Sequence, residues 1–189
     1  DAQTLTRLLE DPRLFVHRRA TAELRKMQDK AVDALTAVVK VSESPEVRRR
    51  AVWTLAGINT PAATAAIAPA LNDKDQTVQQ AAIHATGLAR NQAAAEQLMT
   101  IARTGESASA RAAAEAIGRL RAEKDTIQNL LNLAAQLESS GPDASGAPAV
   151  AAERIREHAL IYALIEIGDA QQTRTGLTSK SPATIRAAL

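Results

Sequence analysis

Apolar and small residues recur along this chain at the spacing of a helix face, and the face itself recurs every 31 residues. In Val47–Ile58 (VRRRAVWTLAGI) they fall at Val47, Ala51, Thr54, Leu55 and Ile58. At about 100° per residue this spacing confines them to one stripe about 100° wide, with Arg48–Arg50 lying off it. The small position of the stripe returns at Ala20, Ala51, Ala82 and Ala113, and the large one at Leu24, Leu55, Thr86 and Ile117. Self-similarity at one fixed period marks a repeat architecture, because each unit leaves a face that only its neighbour can cover.

Each of these helices is followed by a second apolar helical segment: about Ala31–Val41, Thr60 to about Leu71, Gln92–Ala102 and Lys124–Leu137. Start signals precede the first helices. Ser44 can cap and Pro45 suits the first helical position; Asp11–Pro12 and Ser181–Pro182 repeat that signal. Gly57, Gly87, Gly118 and Gly168 come late in matching segments, where the chain should turn or backbones approach closely. The predicted fold is all-α, a right-handed α-solenoid of stacked antiparallel helix pairs with about five repeats of 31 residues. Almost no alternating β-branched pattern is present, so no sheet is expected.

Taken in order, residues 1–10 read as the end of an earlier helix, and the repeats cover about 11–41, 44–71, 74–103 and 106–138. The next large-residue slot, Leu164, comes 47 residues after Ile117 instead of 31. The excess is placed in 138–150 (ESSGPDASGAPAV), whose Gly, Ser and Pro content predicts an exposed inserted loop. A surface insertion is the plainer reading, and a partner-binding insertion the sharper one. A long helix Val150–Ile167 and a short partner Ala170–Leu177 follow. Ser181–Leu189 restarts the pattern, with Ile185 expected in the Val47 slot and Leu189 in the Ala51 slot. The expectation is one repeat domain over 1–189, itself a fragment of a longer protein.

Composition narrows the function classes only modestly. The 189 residues are 46% hydrophobic with one Trp, one Tyr and one Phe, and the net charge of +2 is too small to imply a polyanion partner. Most of the excess positive charge lies in the first fifty residues. The absence of cysteine excludes disulfides, thiol catalysis and Cys-ligated metals in this segment. No apolar run reaches membrane-spanning length.

Candidate chemistry is sparse. His17, His84 and His158 have no metal-ligand spacing, and no nucleophile elbow or phosphate-binding glycine loop occurs. No catalytic residue, cofactor or metal is expected. Asp73 and Asp75 fit helix-end roles. One column, two residues after the small position, holds Ala22, Trp53, His84, Glu115 and Tyr162. Aromatic residues anchor interfaces, which makes the column a candidate partner strip; filling space between adjacent first helices is the favoured reading, since Ala22 and Glu115 interrupt it. The basic group Arg13, His17, Arg18, Arg19, Arg25, Lys26 and Arg48–Arg50 is diluted by acids. It reads first as structural ion pairing, then as a surface for an acidic protein, and last for nucleic acid. The candidate partner-binding residues are therefore Arg48, Arg49, Arg50, Trp53, His84 and Tyr162.

The segments VRRRAVWTLAGI, VQQAAIHATGLA and ARAAAEAIGRL resemble HEAT-type repeats, in the short form also seen in families related to phycobilisome lyases. More narrowly, Arg156–Leu189 resembles the HEAT region of large bacterial membrane-bound dehydrogenases that also carry a β-propeller and a c-type haem domain. The first resemblance implies a non-enzymatic scaffold that binds a protein partner or neighbouring domains of its own chain. The second implies a connector in an exported oxidoreductase whose redox domains lie outside this segment. A HEAT-like nucleic-acid-binding protein or glycosylase, and a bilin-lyase-like chaperone, are the remaining readings.

Overall fold

The computed structural model describes residues 1–120, 125–139 and 147–189. Among them there are helices and turns and no strand. The chain divides into two compact units, Asp1–Ala94 and Ala95–Leu189.

In the first unit, α1 (Ala2–Arg7) leads through a 3-10 turn to α2 (Leu14–Lys26), followed by α3 (Val32–Val41), α4 (Pro45–Ile58), α5 (Pro61–Ala65) and α6 (Gln76–Leu88). The central helix α4 packs on α2, α3 and α6, and α1 packs on α2 and α3. In the second unit, α7 (Ala95–Thr104) and α8 (Ser107–Arg119) pair, α8 packs on α10 (Ala147–Ile167), and α9 (Thr126–Ser139) packs on α10, α11 (Ala170–Thr173) and α12 (Pro182–Ala188). Each unit is thus an all-α stack of helix pairs, as the period requires. The stripe is the core: Ala20, Ala51, Ala82 and Ala113, with Leu24, Leu55, Thr86, Ile117 and Leu164, are all buried.

The second helices are less regular than their apolar runs predict. The segment opened by Thr60 does not continue as one helix to Leu71; it stops at Ala65 and resumes as a 3-10 turn, Ala68–Asn72. Pro69 has no N–H for the carbonyl of Ala65, so the α ladder cannot continue there. A 3-10 turn also precedes α3 (Gln28–Ala31) and α7 (Gln92–Ala94). Lys124, the expected start of the next such helix, is outside the described residues, as are residues 140–146 of the expected loop 138–150; the loop's other residues are helical, ending α9 at Ser139 and starting α10 at Ala147 rather than Val150.

The ends of α2, α4, α6 and α10 are each followed by a left-handed residue, a glycine only after α10, while α8 ends at Leu120 with extended backbone. Gln28, Asn59, Arg90 and Gly168 have φ of 52°, 54°, 50° and 73°, and the first three are one repeat apart. A left-handed residue there costs a non-glycine about 1–2 kcal/mol. It turns the chain straight into a residue that can cap the next helix: Asp29, Thr60, Asn91 or Asp169. Thr60 Oγ1 accepts from the amide of Ala63 at 3.2 Å and Asp169 Oδ1 from that of Gln172 at 3.0 Å. The Thr60 hydroxyl also donates to the Asp29 carboxylate, tying two successive turns together.

Three further expectations are corrected. Ser44 and Ser181 cap α4 and α12 ahead of their prolines, but Asp11 does not cap α2. That helix starts at Leu14, and Asp11 instead accepts from the amide and guanidinium of Arg13. In α12 the buried residues are Ala183, Thr184, Ala187 and Ala188. The shared Ser-Pro start fixes its register, so Thr184 and Ala188, not Ile185 and Leu189, take the Val47 and Ala51 slots. Gly57, Gly87 and Gly118 lie inside helices, and only Gly168 turns the chain.

At Gly118 the other expected role, a close approach of backbones, is what the structure shows. A Cβ there would lie 2.8 Å from the Cα of Ala163 on α10, so backbone must move to admit it. At Gly57 the obstacle is the Arg25 guanidinium, 2.2 Å from such a Cβ, which can swing away. Gly118→Ala should therefore destabilise by about 1–3 kcal/mol, despite alanine's better helix propensity. Gly57→Ala should be near neutral. Urea unfolding of the two variants checks the contrast.

Candidate partner surface and its ion pairs

Ser44 and Pro45 start α4 so that Arg48 falls on its first turn, facing the linkers before and after this repeat. Arg48 donates from Nε to Asp73 Oδ2 at 2.7 Å and from Nη2 to Oδ1 at 2.8 Å, a fork-on-fork pair. Its Nη1 donates to the carbonyls of Ser42 at 2.8 Å and Glu43 at 3.1 Å. Asp73 also accepts from the amide of Asp75. Arg48 is 4% exposed, so it is corrected from a candidate partner contact to an internal tie. It joins the end of α3 to the linker that precedes α6. Burial pushes the Asp73 carboxyl upward, but the Arg48 hydrogen bonds, the Asp75 amide and the Arg48 charge outweigh it and hold the group below its ordinary value.

The other arginines of the run are also engaged. Arg49 pairs with Glu46, and Arg50 pairs with Glu46 at 3.0 Å while reaching the carbonyl of Leu9. Arg25 donates to the carbonyl of Trp53 at 2.9 Å, and Arg156 to those of Ala102 and Arg103 at the end of α7. Gln79, one repeat beyond Arg48, donates to the carbonyl of Leu71. Except for Arg25, whose acceptor Trp53 lies inside α4, these long polar side chains of first helices satisfy carbonyls where preceding elements end, where the helix dipole also favours cations. Structural ion pairing, the first reading of the basic group, fits these contacts.

The aromatic column faces outward. In the first unit Ala22 and Trp53 are exposed and His84 is half-buried; in the second, Glu115 is half-buried beside Arg111 and Tyr162 is 52% exposed. Trp53 is 36% exposed, so about two-thirds of it is packed while one edge reaches solvent, and Tyr162 is about half exposed. Sequence reasoning missed Phe15, which is 74% exposed beside an exposed Leu14. A signal was available: one and two repeats on, its place is held by Glu46 and Thr77, which makes it a solvent position. None of the three aromatic side chains is in the core. Among the described residues no group of His, Asp and Glu could hold a metal ion, and no helix is long and apolar enough to cross a membrane.

The family model of HEAT repeats matches residues 32–118. No curated protein matches the chain. Among solved structures, an engineered protein shares 18% identity, covering 100% of this chain and 93% of that one with a TM-score of 0.47. A designed armadillo repeat protein shares 16% identity, covering 100% and 97%, with a TM-score of 0.44. The narrower likeness of Arg156–Leu189 to bacterial dehydrogenases finds no support among these matches.

Because Asp73 ionises more readily in the folded state, its contribution to stability is present above the ordinary carboxylate value of 3.8. It is lost as pH falls through the lower folded value. Asp73→Ala should cost about 3 kcal/mol or more at pH 7, since it strips a buried charge of its partner. The gap from the parent protein should narrow on acidification below about pH 4. Urea unfolding at pH 7 and pH 3 checks both points.

Proposed function

We propose that this chain is a non-enzymatic scaffold module, a single repeat domain over 1–189 that binds a protein partner or adjoining domains. The observation that carries the reading is the position of the aromatic residues. The core is built from Ala, Leu, Ile and Val, while Phe15, Trp53 and Tyr162 all lie on outward faces of the first helices α2, α4 and α10. The exposed parts of these rings, most of Phe15, half of Tyr162 and about a third of Trp53, gain nothing from folding and can be desolvated against a partner. The sequence register also continues through the junction of the two units, from Ala82 to Ala113, which supports one repeated domain. Arg49, Arg50 and His84 border the Trp53 face in this reading, and Arg48 serves the fold.

A photoreactive benzoylphenylalanine at Trp53 or at Tyr162 tests it in cells of the source organism. A discrete protein adduct at one or both positions is expected, and none from the same group at the exposed second-helix positions Lys40 and Gln128. Equal labelling at all four positions, or no adduct at any, would overturn the reading.

A further inference from the structure

The outer face of α2 differs from its counterpart on α4 in having a floor. Ala22 occupies the position that Trp53 holds one repeat later, and the small side chain leaves a shallow groove of about 660 Å³. Phe15 and Leu14 wall one end, Lys26 the other, and Arg18 and Arg19 lie along it. Both arginines are exposed, and neither makes a hydrogen bond or ion pair among the described residues. The acid in the groove, Glu23, is taken up by Lys26 at 2.9 Å, and that contact holds its carboxyl below the ordinary value. Elsewhere in the basic group Arg13, Arg25 and Arg48–Arg50 are committed to Asp11, Trp53, Asp73, Leu9 and Glu46. The positive charge on this face without a hydrogen-bonded or ion-paired partner is therefore at Arg18 and Arg19, the latter near enough for its charge to act on Glu23, beside the most exposed aromatic ring of the chain.

We propose that this face docks an acidic peptide segment of a partner protein carrying one large apolar side chain. The apolar side chain sits over Ala22 against Phe15, and flanking carboxylates take the forks of Arg18 and Arg19, where bidentate pairing is available. Two free cations are too few to track a phosphate backbone, whose binding grows with the number of phosphates neutralised. Glu23 in the groove wall further disfavours a polyanion of uniform charge. The proposal rests on the reading of the chain as a protein-binding module. Its failure would leave an adduct at Tyr162, which lies in the other unit, unaffected.

The test uses the whole chain and a fluorescein-labelled dodecapeptide of Glu and Asp around two central leucines. Fluorescence anisotropy is followed against a control peptide with Gln and Asn in place of the acids, and against single-stranded DNA of similar length. The acidic peptide should bind and the neutral one should bind at least about tenfold more weakly, the discrimination expected of a charge-assisted pair. The double variant Arg18→Glu, Arg19→Glu should weaken the acidic peptide by at least the same factor, and Phe15→Ser should weaken both peptides. These exposed substitutions should leave the urea midpoint nearly unchanged, which separates lost docking from lost fold. Three outcomes would overturn the proposal: no binding at millimolar peptide, binding indifferent to Arg18 and Arg19, or DNA binding as tightly as the acidic peptide and sharing its dependence on those arginines.

Discussion

No helix pair in this chain can bury its own apolar face, and every other feature depends on how neighbouring pairs solve that problem together. The solution is one stripe repeated with the period of the fold. A fully buried leucine such as Leu24 or Leu55 is worth about 1.5–3 kcal/mol. The small residue one turn away, at Ala20, Ala51 and Ala82 in the first unit, lets α2, α4 and α6 come close enough to bury it. At Gly118 the approach to α10 is so close that even a methyl group has no room.

Stacking many short helices creates many helix ends, each with unpaired backbone groups. Here the amino ends are served by short side chains in the linkers, among them Ser44, Thr60, Asp75, Asp169 and Ser181. Carbonyls near the carboxyl ends are served from a distance by Arg48, Arg50 and Arg156. The arginines that look most like a binding motif are thus largely consumed by the fold. Arg48 is the extreme case, because its charge is buried and its stability depends on the linker carboxylate of Asp73.

Legibility in the sequence followed the physics of each feature. The stripe was readable because burial acts on side chains at a regular interval, and Leu24, Leu55, Thr86 and Ile117 all lie where the period puts them. The left-handed turns at Gln28, Asn59 and Arg90 were not readable from glycine placement, since context imposes that φ on residues that do not prefer it. The pairing of Arg48 with Asp73 spans 25 residues, and helix periodicity cannot show it. Phe15 escaped notice because its importance lies in exposure, which appears only when Glu46 and Thr77 are seen to share its position. The last helix was misread by one residue because apolar matching was preferred to the stronger positional signal of Ser181–Pro182.

What emerges is a division within the first helices, with the inward stripe holding the stack and the outward faces, Phe15 among them, left exposed. The most direct measurement compares Leu55→Ala with Phe15→Ala by urea unfolding of the whole chain. Loss of the fully buried Leu55 side chain should cost about 2–5 kcal/mol, and loss of the exposed ring of Phe15 no more than about 0.5 kcal/mol. A Phe15 variant as unstable as the Leu55 variant would contradict this division, because the ring would then be part of the core.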